Sequence, residues 1–157
     1  MDYCEEIINR HGDTIYKICM LNLKNKADAD DIFQSTFLAL IEKRPKFNDH
    51  DHELAWLIKV ANNKCKDHYK SYWNKNTREL KDDDYVCNDF DLSEVFEAVA
   101  SLNTKYKIPI YMYYYEGYDT LEISKILNRN ESTIRTHLKR GRERLKNILK
   151  GLDFYEG

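Results

Sequence analysis

Apolar residues recur at helical spacing through most of this chain, and that pattern divides it into segments. Asp2 to Asn22 reads as one or two helices, broken near Gly12-Asp13, with Ile15, Ile18, Cys19 and Asn22 continuing one stripe. Asn25-Lys26 is predicted to turn. Asp28 to Lys43 is strongly amphipathic: Ile32, Phe33, Phe37, Leu40 and Ile41 share one side. Asp28, Asp30 and Asp31 fall in its first turn, where carboxylates suit the helix dipole, and Pro45 marks its stop. A second long helix runs from His52 to about Trp73, with Leu54, Leu57, Ile58, Ala61, Cys65, Tyr69 and Tyr72 as its apolar stripe. Lys59, Asn63, Lys66 and Lys70 occupy the opposite side.

From Asn74 to Asp91 no period is visible, and the acidic run D-D-D-Y-V-C-N-D-F-D reads as a loop. Leu92 to Ala100 looks like a short helix with Ser93 near its start. Asn103 can cap a helix to Tyr115, with Pro109 inside it as a point of restart or bend. Asp119-x-x-Glu122 is a capping box for a helix through Leu127. Asn128-Arg129-Asn130 makes a turn, Asn128 being able to take the left-handed conformation, and Asn130 caps a long helix to about Lys150.

Only five Gly and two Pro occur, which argues against a turn-rich β fold. The expected class is all-α. No apolar run approaches the roughly 18 residues of a membrane span. The start, M-D-Y-C-E-E, lacks the basic and apolar pattern of a secretion signal, so a cytoplasmic location is expected. Cys4, Cys19, Cys65 and Cys87 form no C-x-x-C pair and are read as reduced, with core packing favoured over metal or redox work. His50 and His52 flank Asp51 with no partner at ligand spacing, and a loop is expected there.

The net charge of -2 conceals an asymmetry. Basic and acidic residues balance over 1–75; 76–98 carries a net of -6 and 99–157 a net of +4. Two small helical domains, 1–75 and 99–157, joined by an acidic linker, 76–98, are the simplest account.

In the second domain, two helices joined by a three-residue turn match the helix-turn-helix plan, whose second helix reads base edges in the major groove. Ile134, Leu138, Gly141, Leu145 and Ile148 fall in one arc; Ser132, Thr133, Arg135, Thr136, Lys139 and Arg140 fall on the other side as candidate duplex contacts. Eight basic residues against two acidic ones lie between Arg129 and Lys150, the excess that a phosphate backbone requires. Charge alone would describe a solvated face on a bundle helix. The capping box, the turn length and the two-sided helix favour DNA. Gly141 is expected to mark close approach of a neighbouring helix.

In the first domain, lysines alternate with aromatics along the helix from His52: Lys59, Lys66, Lys70, then Trp73 and Lys75. Aromatic faces inside a basic groove hold unpaired bases, so Trp56, Lys59, Asn62, Asn63, Lys66 and Lys70 are candidates for single-stranded DNA. The competing reading is that Trp56 and Val60 pack against another helix and that the lysines are a solvated face. The aspartates Asp28, Asp30 and Asp31 lack a following Glu-x-x-His pair, so capping or surface contact is favoured over a metal. No metal or cofactor is expected.

Three stretches together resemble the extracytoplasmic-function (ECF) subfamily of bacterial RNA polymerase sigma factors. D-A-D-D-I-F-Q-S-T-F-L, Asp28 to Leu38, is similar to the helix that docks on the polymerase clamp. A-W-L-I-K-V-A-N-N, Ala55 to Asn63, resembles the promoter-melting and -10 recognition segment. Tyr114 to Asn128 with Ser132 to Leu145 resembles the -35-reading helix-turn-helix. The resemblance implies that Asp28, Asp31, Gln34 and Leu38 bind the clamp of the largest polymerase subunit. It implies that the loop before His52, with Asn62, Asn63, Lys66 and Lys70, holds the opened -10 strand. The C-terminal domain would meet the flap of the second-largest subunit and the -35 duplex, and the acidic linker would thread the RNA exit path. An anti-sigma factor is a further partner that such proteins have. Departures are Ser35 for a glutamate, Thr104 for a proline, Asn128 for a turn glycine and Asn130 for a serine cap.

The expected function is therefore a non-enzymatic specificity subunit in transcription initiation, without direct membrane insertion and nucleoid-associated when bound to polymerase. A stand-alone dimeric helix-turn-helix regulator is the alternative. A helical-bundle metalloenzyme lacks ligands at usable spacing.

Overall fold

The structure, a computed structural model, describes residues 2–23, 25–75 and 94–153, and seven helices account for nearly all of them. They are α1 (Tyr3–Leu23), α2 (Lys26–Lys43), α3 (His50–Lys75), α4 (Glu94–Ala100), α5 (Thr104–Tyr114), α6 (Thr120–Leu127) and α7 (Glu131–Asp153). The first three make one compact unit and the last four a second. The side chains of Tyr72, Trp73 and Lys75, the acidic segment 76–93 with Cys87 and Ser93, and the chain beyond Asp153 lie outside the described residues.

In the N-terminal unit each helix packs on the other two. α1 is continuous through Gly12, where the sequence predicts a break. Buried Ile7, His11, Ile15 and Ile18 keep one face against its neighbours across that point, and tertiary packing outweighs the roughly 1 kcal/mol that a helical glycine costs. α2 begins at Lys26, two residues before the predicted start. Asn25 is its N-cap, its side chain accepting from the Asp28 N–H at 2.8 Å. Phe37 and Leu40 are buried as expected, but Ile41 is exposed. α3 begins at His50, so His50 and His52 stand in its first turn rather than in a loop.

A buried amide pair lies in the α1–α3 interface. Asn22 donates through Nδ2 to the Asn62 side-chain oxygen and to the Ile18 carbonyl, both at 3.1 Å. Three cysteines, Cys4, Cys19 and Cys65, are buried free thiols. The hydrogen bond with Cys19 first, then burial, pushes the Cys65 thiol well up, so it stays protonated as a small core residue.

In the C-terminal unit α4 packs on α5 and α7, burying Phe96, Ala98, Val99 and Ala100. Residues 94–98, assigned to the linker by their charge, therefore lie within this unit. Their acidic side chains, Glu94 and Glu97, face outward. Pro109 neither restarts nor ends α5; it is buried within a helix that Asn103 caps. Gly141 is buried against α5, where an added Cβ would lie 3.0 Å from Ile110 Cγ1 and 3.3 Å from Tyr106 Cβ.

Candidate nucleic-acid interface

The C-terminal candidate site is built on the capping box. Asp119 accepts from the Glu122 N–H, and Glu122 reaches back to the Asp119 N–H, at 2.8 and 2.9 Å. The helix closes on Asn128 in the left-handed conformation (φ 57°, ψ 54°), whose N–H returns to the Ser124 carbonyl. That corner lets Ile123, Ile126 and Leu127 of α6 face Ile134 and Leu138 of α7 in one small core. With Ile134 and Leu138 inward, Ser132, Arg135, Thr136, Lys139 and Arg140 are exposed and Thr133 is half-buried.

Two of these residues are already oriented. Arg135 pairs with Glu131 at 3.1 Å, and Glu131 also accepts from the Thr120 hydroxyl at 2.6 Å, which ties the start of α7 to the start of α6. The pair is largely exposed and contributes little to stability, about 0–1 kcal/mol, so the guanidinium can leave it for a stronger anion. The Thr136 hydroxyl donates to the Ser132 carbonyl at 3.0 Å.

His137 lies on the same helix in edge contact with Tyr106, with Nδ1 buried and unpartnered. Burial first, then the cations Arg129, Lys105 and Arg140, hold its imidazole below the ordinary histidine value. Lys105, at the start of α5, lies 5.1 Å over the Tyr106 ring that His137 meets, which brings it near the basic helix. Position along the sequence gives no sign of that. Further along α7, Arg142 donates to the Tyr114 hydroxyl at 3.3 Å and Arg144 lies over the Tyr106 ring. A separate apolar groove of about 640 Å³ lies between α4, α5 and α7, lined by Val95, Val99, Ile110 and Leu145, with Arg142 and Lys146 among its polar walls.

In the N-terminal unit, Lys59, Asn63, Lys66 and Lys70 are exposed along α3. Asn62 does not join them: it is buried against Asn22, so its place among the strand-holding candidates is corrected to a core position. Trp56 is half-buried, its ring edge-on to Phe47 in the loop before α3, 5.9 Å between centroids. It meets that loop aromatic, which sequence spacing did not single out.

On α2, Asp31, Gln34 and Leu38 are exposed and follow i, i+3, i+7 spacing, which Ile41 continues; Leu38 and Ile41 expose 55% and 45% of their surface. Ile41 was assigned to the core by its helical arc and instead extends this outward stripe. Asp28 is turned the other way. It is half-buried and accepts from Asn25 Nδ2 at 2.7 Å and from His68 Nε2 at 3.1 Å. Asp30 accepts from the Tyr16 hydroxyl at 2.6 Å and from Lys26, contacts that hold its carboxyl below the usual range. Among the described residues no group of three or more His, Cys, Asp or Glu is placed to hold a metal, and no helix is long and apolar enough to cross a membrane.

Two family models match along the chain, Sigma-70 region 2 over residues 7–75 and Sigma-70 region 4 over residues 92–145. The chain belongs to the sigma-70 family. Its curated relatives place it in the ECF branch. This sigma factor is 26% identical to the ECF RNA polymerase sigma factor SigW of Bacillus subtilis, covering 96% of this chain and 91% of that one. It is 24% identical to the ECF RNA polymerase sigma factor BldN of Streptomyces coelicolor over 83% of this chain, and spans 54% of that protein's length. Its fold is similar to that of the sigma factor RpoE in a co-crystal with the anti-sigma factor NepR from Bartonella quintana (TM-score 0.74, 16% identity, 95% and 98% covered). It is also similar to that of CnrH in complex with the cytosolic domain of CnrY (TM-score 0.65, 21% identity, 96% and 89% covered). Sigma factors are DNA-binding regulators of transcription initiation rather than classical enzymes. The reading as a stand-alone dimeric regulator finds no support in these relatives.

Proposed function

We propose that this sigma factor confers promoter specificity on bacterial RNA polymerase by a division of labour between its two units. The supporting observation is that each unit presents its own outward basic face, carried on α3 in one and on α7 in the other. In the C-terminal unit, Ser132, Thr133, Arg135, Thr136, Lys139 and Arg140 contact the -35 duplex. Arg and Lys serve guanine edges and phosphates, and Thr serves thymine methyls. In the N-terminal unit, Trp56, Lys59, Asn63, Lys66 and Lys70, with the loop before α3, hold the unpaired -10 strand by stacking and phosphate contact.

Asp31, Gln34 and Leu38, extended by Ile41, dock on the clamp of the largest polymerase subunit. Asp28 supports that surface from behind through Asn25 and His68. The apolar groove on the C-terminal unit suits the flap of the second-largest subunit, and the acidic segment threads the RNA exit path. The complex of RpoE with the anti-sigma factor NepR supports an anti-sigma factor as a further partner. The place of action is the cytoplasm, on the nucleoid when polymerase is bound. Run-off transcription tests the reading. Sigma-free core polymerase plus this protein is expected to initiate at defined genomic sites, and failure to initiate at any site refutes it.

A further inference from the structure

The loop between α2 and α3 is tied at both ends. Arg44 closes α2 in the left-handed conformation (φ 41°, ψ 57°), uncommon for a residue with a side chain, and its N–H bonds the Leu40 carbonyl at 2.9 Å. At the other end, the Asn48 N–H donates to His52 Nδ1 at 3.1 Å and Asp49 accepts from the His52 N–H at 2.8 Å. Phe47, between the two ends, stands edge-on to both His52 and Trp56. None of residues 44–47 is fully buried: Arg44 and Lys46 are exposed, Pro45 and Phe47 half-buried. Arg44, Pro45, Lys46 and Phe47 line an open cavity of about 520 Å³ whose other walls are Tyr3 and Glu53. Backbone with few buried apolar contacts moves at low free-energy cost, so specific bonds decide where it sits.

One hydrogen bond spans this space. The Tyr3 hydroxyl, from the first turn of α1, donates to the Pro45 carbonyl at 2.8 Å. The Arg44 guanidinium lies 5.4 Å over the same ring. Tyr3 is half-buried in the same turns of α1 as buried Cys4 and Ile7, and Glu53 on the far wall takes Arg10 and His11 on one oxygen at 2.7 and 3.0 Å.

We infer that Tyr3 is a positioning residue for the opened promoter strand: its hydroxyl sets the loop backbone that carries Phe47, and Phe47 sets Trp56 at the head of the α3 lysine line. This rests on the reading that α3 and the loop before it hold that strand. Tyr3 need not touch a nucleotide; it acts through Pro45 and Phe47.

Tyr3→Phe tests it in the full chain with core polymerase. The substitution keeps the ring and its Arg44 contact and removes only the donated bond. Opening of a duplex promoter, followed by 2-aminopurine fluorescence in the -10 segment, is expected to slow roughly two- to tenfold, the span of one net hydrogen bond. Discrimination among single-base -10 variants is expected to narrow. Core binding and -35 duplex binding are expected to stay unchanged. Loss of core binding in parallel with opening, repeated at low temperature where the fold is intact, would mean a general structural role and overturns the inference. Unchanged opening overturns it too. In that case the Lys66→Ala, Lys70→Ala double variant separates the two claims: slowed opening there leaves the strand-holding reading standing, and normal opening removes both.

Discussion

Gly141→Ala sets two opposed effects against each other, and the structure decides which wins. Alanine in place of a helical glycine favours α7 by roughly 1 kcal/mol. The added methyl would sit 3.0 and 3.2 Å from the Ile110 side chain and 3.3 Å from Tyr106 Cβ. Ile110 and Tyr106 are both buried. Tyr106 Cβ is bonded directly to the α5 backbone and cannot swing aside. The two helices must separate by a few tenths of an ångström or Ile110 must leave its rotamer, at a cost of about 1–3 kcal/mol. The balance is a net destabilisation of about 1 kcal/mol, or ~5 °C in the melting temperature of a unit this small. Gly12→Ala is the matched control. There the methyl meets Ile8 and Phe33 at 3.7 and 3.8 Å, ordinary contact, so the propensity gain stands and the N-terminal unit gains up to about 1 kcal/mol. Both tryptophans, Trp56 and Trp73, belong to the N-terminal unit, so tryptophan fluorescence in a urea titration follows that unit while far-ultraviolet circular dichroism follows both. Gly141→Ala is expected to shift only the dichroism transition downward, and Gly12→Ala to move the fluorescence midpoint upward. A Gly141→Ala protein as stable as the parent, or more so, refutes the packing argument.

Three further outcomes can be checked. His11 and His137 are both held below the ordinary value of 6.5, chiefly by burial, so the unfolded chain takes up their protons first on acidification. Stability is therefore full above about pH 6.5 and declines as pH falls below it; urea midpoints at neutral and mildly acidic pH measure this, and His137→Phe should flatten the decline in the C-terminal unit. Arg135→Ala with Lys139→Ala is expected to weaken -35 duplex binding and to lower the salt slope by about one per lost phosphate contact, with the urea midpoint of the C-terminal unit unchanged; undiminished affinity in a titration against duplex would contradict it. Asp31→Ala and Ile41→Ala should reduce core-polymerase binding in a pull-down at unchanged stability, whereas Asp28→Ala should cost about 1 kcal/mol in α2 and α3 through the lost Asn25 and His68 contacts.

Helix type and approximate length were legible because Leu57, Ile58, Ala61 and Cys65 repeat at a period that only a helix satisfies. The capping box and the left-handed Asn128 were legible for a different reason: both are local chemistry, settled within a few residues. What depended on neighbours was not. Gly12 looked like a break because propensity is local while the faces that hold α1 together are not. Ile41 and Asn62 were misplaced because a helical arc gives an angle without saying where the neighbouring helix stops covering it. Residues 94–98 were read by their charge, although Phe96 and Ala98 already carried the signal of a buried face. Lys105 comes near the basic helix, and Phe47 meets Trp56, only through chain folding.

The Asn22–Asn62 pair limits how this protein can change over time. Losing one amide strands the other inside an apolar interior, at roughly 1–3 kcal/mol, whereas exchanging both for hydrocarbon of similar shape can be nearly neutral. Each single step is thus disfavoured and the double step is open, so descendants of this chain should keep both amides or neither, with few intermediates between.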